Sequence, residues 1–382
     1  MQHLMQQHLK QQQFMDGYLR RFNDVLKKVT EEVKKLYQKQ EEINTREKNI
    51  LKIKNDVALI LQIVGNGKST PKPPSEIIKS IEKIIDIKHQ TDVYSLLELS
   101  DSRIVTGDWN GTINIFSIDY EKKTFTLNIE HQGHNETISS FCQLSGNRLV
   151  SAGDETIKIW KVNAKSLTHL QTLEGHSRSV NQVIQLSNDF IASGSYDKTI
   201  KIWEVNNGKE LQTLKDDFEV YSLLKLKNKE ILLSTGLGEQ VTFWNLRTYK
   251  KEHTVRCCIG SSYKGLLELS NNYVAVTGGG SSSIASIDII DVINHELFKK
   301  IKYDCITGDG YYPSLHSLTK GTFIYAHNNY LCQLSTNNFD LKFKIKTANE
   351  MTGISVISDS SAKYLISTNE QSGISIFKIE YS

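Results

Sequence analysis

Two sets of serine, histidine and aspartate stand at matching positions and could perform nucleophilic catalysis. They are His134, Ser151 and Asp154, and His176, Ser193 and Asp197. In each set the serine follows the histidine by seventeen residues. A serine whose histidine base is oriented by an aspartate is the arrangement of serine hydrolases. Two copies at the same phase of a repeat favour a structural role instead, so we predict that neither set is catalytic and that the chain is not an enzyme.

A second run of residues resembles the end of a phosphate-binding loop. Residues 65–70 read GNGKST. A P-loop needs a further glycine five positions before Gly67, where this chain has Gln62, and a helix that starts at the lysine. Three prolines follow within residues 71–74 and disfavour such a helix. We therefore interpret this run as part of a linker and predict no bound nucleotide or other cofactor.

The cysteines and the charge exclude further kinds of site. The five cysteines form no CxxC pair, and no Cys/His cluster has the spacing of a zinc site. We predict no metal site and a reducing, cytoplasmic environment. No apolar run reaches the roughly 18–20 residues that span a bilayer, so no membrane span is expected. Residues 65–382 hold 34 basic and 35 acidic side chains, a balance that argues against nucleic-acid binding.

Residues 15–64 repeat apolar side chains with the period of a coiled coil. One series, with steps of seven, is Met15, Phe22, Val29, Leu36, Ile43, Ile50, Val57 and Val64. A second series, four residues further on, is Leu19, Leu26, Val33, Gln40, Glu47, Lys54 and Leu61. Alternating steps of four and three place both series along one seam of a helix. Because the helix has no second apolar face, we predict that it pairs with another copy or with a partner helix.

The predicted oligomerisation seam and its flanks complete the N-terminal region. The seam consists of Phe22, Leu26, Val29, Val33, Leu36, Ile43, Ile50, Val57 and Leu61. The three polar positions of the second series either fix the register or mark a frayed stretch, and the number of strands stays open. A Gln-rich segment, residues 1–14, precedes the helix, and a Pro/Gly linker, residues 65–78, follows it.

From residue 79 to residue 382 the sequence repeats itself at intervals of 41–46 residues. Each repeat contains a strand, a tight polar turn and an alternating strand closed by an anchor residue, as in IASGSYDKTIKIW. The anchors are Phe116, Trp160, Trp203, Trp244, Ile290, Leu334 and Phe377. A period near 40–45 residues with four strands per unit is typical of a β-propeller. Seven anchors predict an all-β propeller of seven blades, each of four antiparallel strands.

The ends of the repeat region predict how the ring closes. The chain ends on ISIFKIEYS, which leaves the last blade without its outermost strand. Residues 79–89, which precede the first full repeat, can supply it. Such pairing removes an exposed sheet edge.

Blades two and three resemble the WD-repeat family. Both carry its Gly-His dipeptide, at residues 133–134 and 175–176, and an aspartate six residues before the tryptophan anchor. The resemblance implies that tryptophan, serine, histidine and aspartate form a hydrogen-bonded chain within one blade. The two structural tetrads are His134, Ser151, Asp154 and Trp160, and His176, Ser193, Asp197 and Trp203.

The remaining blades depart from this motif. Blade one offers His89, Thr106, Asn110 and Phe116 at the four positions. Blade four keeps Ser234 and Trp244, but it has Gly238 for the acid and no histidine at the expected position. Blades five to seven are predicted to have lost the tetrad.

The resemblance also implies where partners bind, because propellers of this family bind them on the loop faces. The residue before the turn aspartate often projects there, which selects Trp109 and Tyr196, and Arg178 would lie on the same face. We predict a non-catalytic scaffold, oligomerised by the coil, for protein or peptide partners. The alternatives are a substrate adaptor of a ubiquitin ligase and a phosphoinositide-binding propeller. The latter family carries Phe-Arg-Arg-Gly, whereas the paired arginines here, residues 20–21, lie in the coil.

Overall fold

The structure is a computed structural model. It describes residues 77–89, 91–257, 265–269, 272–278, 286–302, 314–319, 321–327, 330–347, 351–358, 363–369 and 373–381, together with residue 31. The chain divides into two compact units, Met1–Pro74 and Ser75–Ser382. Apart from residue 31, the predicted Gln-rich segment (1–14), the coiled coil (15–64) with its seam, and the linker as far as residue 76 lie outside the described residues.

The described residues of the second unit form 28 strands in seven four-stranded antiparallel sheets. Blade one contains β2 (Val93–Glu98), β3 (Ile104–Asp108), β4 (Thr112–Asp119) and β5 (Thr124–Gln132). Blade two contains β6 (Ile138–Leu144), β7 (Arg148–Gly153), β8 (Thr156–Val162) and β9 (Leu167–Leu173). Blade three contains β10 (Val180–Gln185), β11 (Phe190–Ser195), β12 (Thr199–Glu204) and β13 (Lys209–Lys215). Blade four contains β14 (Val220–Lys225), β15 (Ile231–Gly236), β16 (Gln240–Asn245) and β17 (Lys250–Arg256).

The last three blades follow the same order. Blade five contains β18 (Gly265–Glu268), β19 (Tyr273–Gly278), β20 (Ser286–Asp291) and β21 (Glu296–Lys302). Blade six contains β22 (Ser314–Thr319), β23 (Thr322–His327), β24 (Tyr330–Ser335) and β25 (Leu341–Lys346). Blade seven contains β26 (Met351–Ser358), β27 (Lys363–Asn369), β28 (Gly373–Tyr381) and β1 (Ile78–Lys88). The predicted seven-bladed, all-β propeller is therefore confirmed, and every anchor residue lies in the third strand of its blade.

The ring closes where the two ends of the propeller meet. Strand β1 pairs antiparallel with β28, from Ile78 opposite Tyr381 to Lys88 opposite Gly373. This strand is the outermost one of blade seven, in the position expected for residues 79–89. It begins at Ile78, one residue earlier than the predicted linker boundary, because the Ile78 side chain is buried in the core between blades six and seven.

The core of the propeller lies between neighbouring blades. The second and third strands are buried on both faces, as in β3 and β8, because each sheet packs against one sheet on either side. Between blades one and two, for example, Val105 and Ile115 pack with Leu149 and Trp160. Each anchor residue thus helps to bury an interface between blades, which explains why the anchors recur at every repeat even where their identity changes.

Candidate partner-binding face

Blade three contains the complete hydrogen-bonded chain that the sequence predicts. Trp203 Nε1 donates to Ser193 Oγ at 2.8 Å, and Ser193 Oγ lies 2.7 Å from His176 Nε2. His176 Nδ1 lies 2.8 Å from Asp197 Oδ2. These hydrogen bonds therefore connect the second and third strands, β11 and β12, to the loop before β10 and to the turn between β11 and β12.

Blade two repeats this arrangement with one longer contact. Trp160 Nε1 donates to Ser151 Oγ at 2.8 Å, and the serine lies 2.7 Å from His134 Nε2. His134 Nδ1 lies 3.4 Å from Asp154 Oδ1, which also accepts a hydrogen bond from the Thr156 amide at 2.8 Å. The aspartate thus caps the turn that it occupies as well as facing the histidine.

These serine hydroxyls are poorly placed to act as nucleophiles. Both serines are fully buried, and each Oγ already accepts the indole N–H of its anchor tryptophan. The hydroxyl proton then points to histidine Nε2, which leaves the ring proton at Nδ1 facing the aspartate. A hydrolytic serine must instead present its oxygen to a substrate. The geometry gives the sets a structural role in holding the loops.

The charges of the blade-three chain follow from its burial and its hydrogen bonds. Burial lowers the pKa of the His176 imidazole, so the ring stays neutral near pH 7, although the Asp197 carboxylate opposes this shift. Burial alone would raise the pKa of Asp197, but hydrogen bonds from Thr199 and His176 together hold it below its usual range. The hydrogen-bonded tetrad of blade three therefore contains a neutral histidine and an ionised aspartate.

Blade four contains a substitute for the missing histidine that the sequence analysis did not identify. Asp216, in the loop before β14, accepts a hydrogen bond from Ser234 Oγ at 2.7 Å, and Trp244 Nε1 donates to the same Oγ at 2.8 Å. Burial raises the pKa of the Asp216 carboxyl. Asp216 precedes the serine by eighteen residues rather than seventeen, so a search for any polar residue near that spacing would have found it.

In blade one, where Asn110 stands in place of the turn aspartate, the turn is capped from a different position. Asp108 Oδ1 accepts hydrogen bonds from the Asn110 and Thr112 amides at 3.0 and 2.8 Å. Asp108 Oδ2 accepts the Thr91 hydroxyl at 2.7 Å. The turn between β3 and β4 has the same length as the turn of blade three, where Ser195 stands at the position of Asp108 and accepts the Asp197 amide.

The rest of the blade-one set does not form a chain. Phe116 replaces the tryptophan and offers no N–H, and the His89 ring lies edge-on to it with centroids 5.4 Å apart. Within the described residues, His89 Nε2 and Thr106 Oγ1 are buried without a hydrogen-bond partner. Loss of the indole donor has left both groups in place but unconnected.

Trp109 lies exposed on the face formed by the loops that these chains hold. It follows Asp108 in the turn between β3 and β4, and its side chain is 57% exposed. Tyr94, at the start of β2, lies beside it with ring centroids 5.4 Å apart and is 44% exposed. The sequence analysis selected Trp109 but missed Tyr94, which the fold brings next to it.

Tyr196 and Arg178 lie on the same face, in the loops of blade three. The Arg178 guanidinium lies 5.7 Å from the centre of the Tyr196 ring, within the range of a cation–π contact. On another side Tyr196 meets the Tyr221 ring edge-on at 5.2 Å. Tyr196 is therefore half-buried and packed between neighbours, whereas Arg178 and Trp109 are exposed.

Two matches to the family model described as "WD domain, G-beta repeat" cover residues 123–161 and 167–204. Each match runs from the outermost strand of one blade through the third strand of the next, so the sequence repeat is offset from the blade by one strand. These are the two repeats whose tetrads are complete. The chain carries WD40 repeats.

Related proteins and solved structures agree with this assignment at low sequence identity. WD repeat-containing protein 37 of Mus musculus is 23% identical over 147 residues, which are 38% of this chain and 29% of that protein. The Xenopus laevis protein of the same name is 27% identical over 145 residues, 37% of this chain and 28% of its own length. The matches thus span less than a third of these relatives. The crystal structure of the WD40 beta propeller domain of Doa1 superposes with a TM-score of 0.64 at 18% identity, covering 78% of this chain and 97% of that one.

The loop face of WD40 blades one to four is acidic. Its exposed acidic side chains are Asp92, Glu136, Glu155, Glu174, Asp217 and Glu239. The basic side chains of the same loops are Arg178 and Lys198. The aromatic pair of Trp109 and Tyr94 therefore lies on a surface whose field favours positively charged groups.

Metal sites, membrane-spanning helices and reactive thiols are further features that could carry a function. Among the described residues, no group of His, Cys, Asp or Glu side chains is arranged to hold a metal ion. Within those residues, no helix has the length and apolar character needed to cross a membrane. Cys142, Cys257 and Cys332 are buried, and burial raises the pKa of Cys142 to about 12. These three thiols act as small apolar side chains.

Proposed function

We propose that this chain is a non-catalytic scaffold that binds protein or peptide partners on the loop face of its WD40 propeller. The observation that carries the proposal is the exposed pair of Trp109 and Tyr94 beside the turn that Asp108 caps. Large aromatic side chains at well-ordered exposed positions are the residues that dominate protein interfaces. WD40 propellers in general mediate contacts between proteins.

The chemistry of the face also indicates the kind of segment it would accept. Six exposed carboxylates lie on the loops of blades one to four, against one exposed arginine and one exposed lysine, and one of the six, Asp217, pairs with Lys251. A segment with lysine or arginine beside an apolar residue would place its charge near these carboxylates and its apolar part against Trp109. Charge complementarity of this kind mainly accelerates association and excludes acidic competitors.

The experiment that tests the loop face compares two pairs of exposed apolar residues in blade one. The test variant is Trp109→Ala/Tyr94→Ala, and the control is Phe125→Ala/Leu127→Ala on the outer strand β5, where both side chains are 43% exposed. Partners are captured from the source cells on the wild-type chain, and their affinity for each variant is then measured. We expect at least about a 30-fold loss for the test pair, as for an interface hot spot, and near-wild-type affinity for the control. Equal affinity of the two variants would reject the loop face as the binding surface.

The second part of the proposal is that residues 15–64 assemble several propellers. A coiled coil that joins propellers would let weak loop-face sites bind together, which raises the overall affinity without new contacts. Light scattering on the full chain and on Val29→Asp/Leu36→Asp tests this. We expect an oligomer for the wild-type chain and a monomer for the variant. A monomeric wild-type chain would mean that the seam pairs with a different protein.

A further inference from the structure

The outer strands of blades five and six carry an unusual concentration of lysine. Strand β21 contains Lys299, Lys300 and Lys302 against Glu296, and β25 contains Lys342, Lys344 and Lys346 without an acidic residue. The two strands therefore carry six lysines and one glutamate, a net charge of +5. The net charge summed over the propeller does not reveal this local charge, because the acidic loops of blades one to four balance it.

Three of these lysines lie along the junction between the outer edges of the two blades, and Lys342 precedes two of them at the β-bulge of β25. Lys344 and Lys346 pair with Cys332 and Tyr330 of β24, and directly paired residues place their side chains on the same face of a sheet. Cys332 and Tyr330 pack in the core shared with blade five, so Lys344 and Lys346 face blade five. Lys299 of blade five reaches across in turn, and its Nζ donates to the Asn338 carbonyl of blade six at 2.9 Å. We call Lys299, Lys342, Lys344 and Lys346 the lysine rim.

The lysine rim keeps its charge available to a partner. All four side chains are exposed. Over the described residues, none of the four forms an ion pair, whereas the neighbouring Lys300 lies 3.7 Å from the buried Asp288. Lys344 lies 4.5 Å from the centre of the Tyr330 ring, a contact that positions its ammonium group without neutralising it.

Exposed apolar side chains accompany these lysines on the same two strands. Phe298 of β21 is 51% exposed, Leu341 of β25 is 45% exposed, and Leu297 is exposed as well. Phe298 rests against the Tyr273 and Phe339 rings, which hold it at the surface. Lysines beside apolar side chains at one surface are the combination that binds the interface of an anionic bilayer, where the apolar groups enter the headgroup region and the lysines meet the phosphates.

Protection of sheet edges does not account for this pattern. Lysines on outer strands do hinder pairing with other chains. Strands β5 and β9 of blades one and two are equally outermost, and they expose Phe125, Leu127 and Leu170, yet neither strand contains lysine or arginine. Strand β17 of blade four does carry three basic residues against one glutamate, but its Lys251 pairs with Asp217. Within the described part of the chain, the lysine rim thus differs from the other edges in its unpaired charge and not in lysine content alone.

We propose that the lysine rim, with Phe298 and Leu341, docks the propeller sideways on a membrane surface rich in anionic lipid. Duplex nucleic acid would also attract the lysines, but its phosphates give no favourable contact to exposed leucine and phenylalanine. A bilayer interface offers favourable contacts both to the lysines and to the exposed apolar side chains. In this arrangement the loop face of blades one to four lies on a different side of the ring and stays open to a protein partner.

The test measures binding of the full chain to vesicles of equal parts phosphatidylcholine and phosphatidylserine, with phosphatidylcholine vesicles alone as the uncharged reference. The rim variant is Lys342→Gln/Lys344→Gln/Lys346→Gln. The matched control is Lys79→Gln/Lys83→Gln/Lys88→Gln on β1, an outer strand whose three lysines are accompanied by Glu82 and Asp86. Binding of each chain to a short duplex DNA is measured in parallel.

We expect the wild-type chain to bind the anionic vesicles and to release them as salt is added. The rim variant should bind on the order of 100-fold more weakly, since each of its three lysines near an anionic surface contributes roughly a fivefold factor. The β1 control should lose much less, and Leu341→Ser should lose severalfold with the lysines intact. Equal losses in the rim and β1 variants would overturn the proposal. So would a rim-dependent affinity for DNA without affinity for the vesicles, which would identify the surface as a nucleic-acid site.

Discussion

Blades three and one are built on the same four strands but differ in what their buried polar groups do. In blade three, Trp203, Ser193 and His176 form a continuous chain that ends on Asp197. In blade one, Phe116 stands where the tryptophan would be, and the histidine and threonine remain buried without joining a chain. Blade four lies between them, because it keeps the serine and the tryptophan and uses Asp216 in place of histidine.

This difference separates the requirements of the fold from those of the tetrad. All three blades form four-stranded sheets with closely similar pairing, so the hydrogen-bonded chain is not needed to make a blade. What the blades share is the apolar packing of their second and third strands against their neighbours. The tetrad adds a polar connection from that core to the loops, which matters most where a loop face must be held in one shape for a partner.

The largest expected effect comes from removing the serine at the centre of a chain. Ser193→Ala leaves Trp203 Nε1 and His176 Nε2 buried without their partner, at roughly 1–3 kcal/mol for each group, so we expect the free energy of unfolding to fall by about 2–4 kcal/mol. In blade one, Thr106→Val removes a hydroxyl that has no partner within the described residues. We expect it to leave the free energy of unfolding unchanged or slightly raised. Urea titrations of both variants check this comparison, and a loss of similar size in both would break it.

A second comparison concerns the two aspartates, whose pKa values are shifted in opposite directions. Asp197 accepts hydrogen bonds from the Thr199 amide and hydroxyl and from the Ser177 amide, in addition to facing His176. We expect Asp197→Asn to lower the free energy of unfolding at pH 7 by about 1–3 kcal/mol. The NH2 group of the asparagine would face hydrogen-bond donors that now point at a carboxylate oxygen. Asp216→Asn should be neutral or stabilising at pH 7, since the amide oxygen can still accept the Ser234 hydroxyl while the buried charge is removed. The Asp217 amide, which the other oxygen accepts at 2.8 Å, is exposed and can bond to water instead.

The pH dependence of these two variants has opposite signs. The pKa of Asp197 is held below its usual value, so its contribution to stability is present above about pH 4 and is lost as the pH falls through the lowered value. Burial raises the pKa of Asp216, so its ionisation weakens the fold as the pH rises through the raised value, and the fold recovers on acidification toward about pH 4. Urea titrations from pH 7 to pH 4 should show the cost of Asp197→Asn persisting and any gain from Asp216→Asn shrinking. A gain from Asp216→Asn that stays constant over this range would contradict the raised pKa.

The smallest expected effect distinguishes the two candidate turn residues of blade one. Asp108→Ala removes the acceptor of two amides and one hydroxyl, and we expect it to cost about 1–2 kcal/mol of unfolding free energy. Asn110→Ala should cost less than about 0.5 kcal/mol, as at an ordinary surface position. Thermal unfolding of the two variants is sufficient to rank them. The opposite order would mean that Asn110, and not Asp108, caps the turn of blade one as Asp154 caps that of blade two.

Some of the candidate functional residues could be predicted from the sequence, whereas others are seen only in the structure. Trp109 and Tyr196 were selected by their position before a turn, and the structure places both on the loop face. Tyr94 could not be selected in this way, because it belongs to another strand and meets Trp109 only across the blade. The lysine rim was likewise hidden in the sequence, since Lys299 and Lys344 lie 45 residues apart and are joined only by the packing of two blades.

The spacing of residues along the chain was enough to predict the number of blades, their four-stranded repeat and the closure by an N-terminal strand, and the family resemblance implied the two complete tetrads. It could do so because a blade is a local unit, and its period-two burial and its anchor recur at nearly constant spacing. The tertiary structure decided what depends on turn length and on neighbours: that Asp108 rather than Asn110 caps its turn, that Asp216 replaces a histidine, and which charges gather on one side of the ring. Adding or removing one or two residues in a loop changes the sequence separation of two residues that meet in space, so a fixed spacing no longer identifies them. Hydrogen bonds and charge clusters depend on distances in space, which the chain fixes only once the blades have packed.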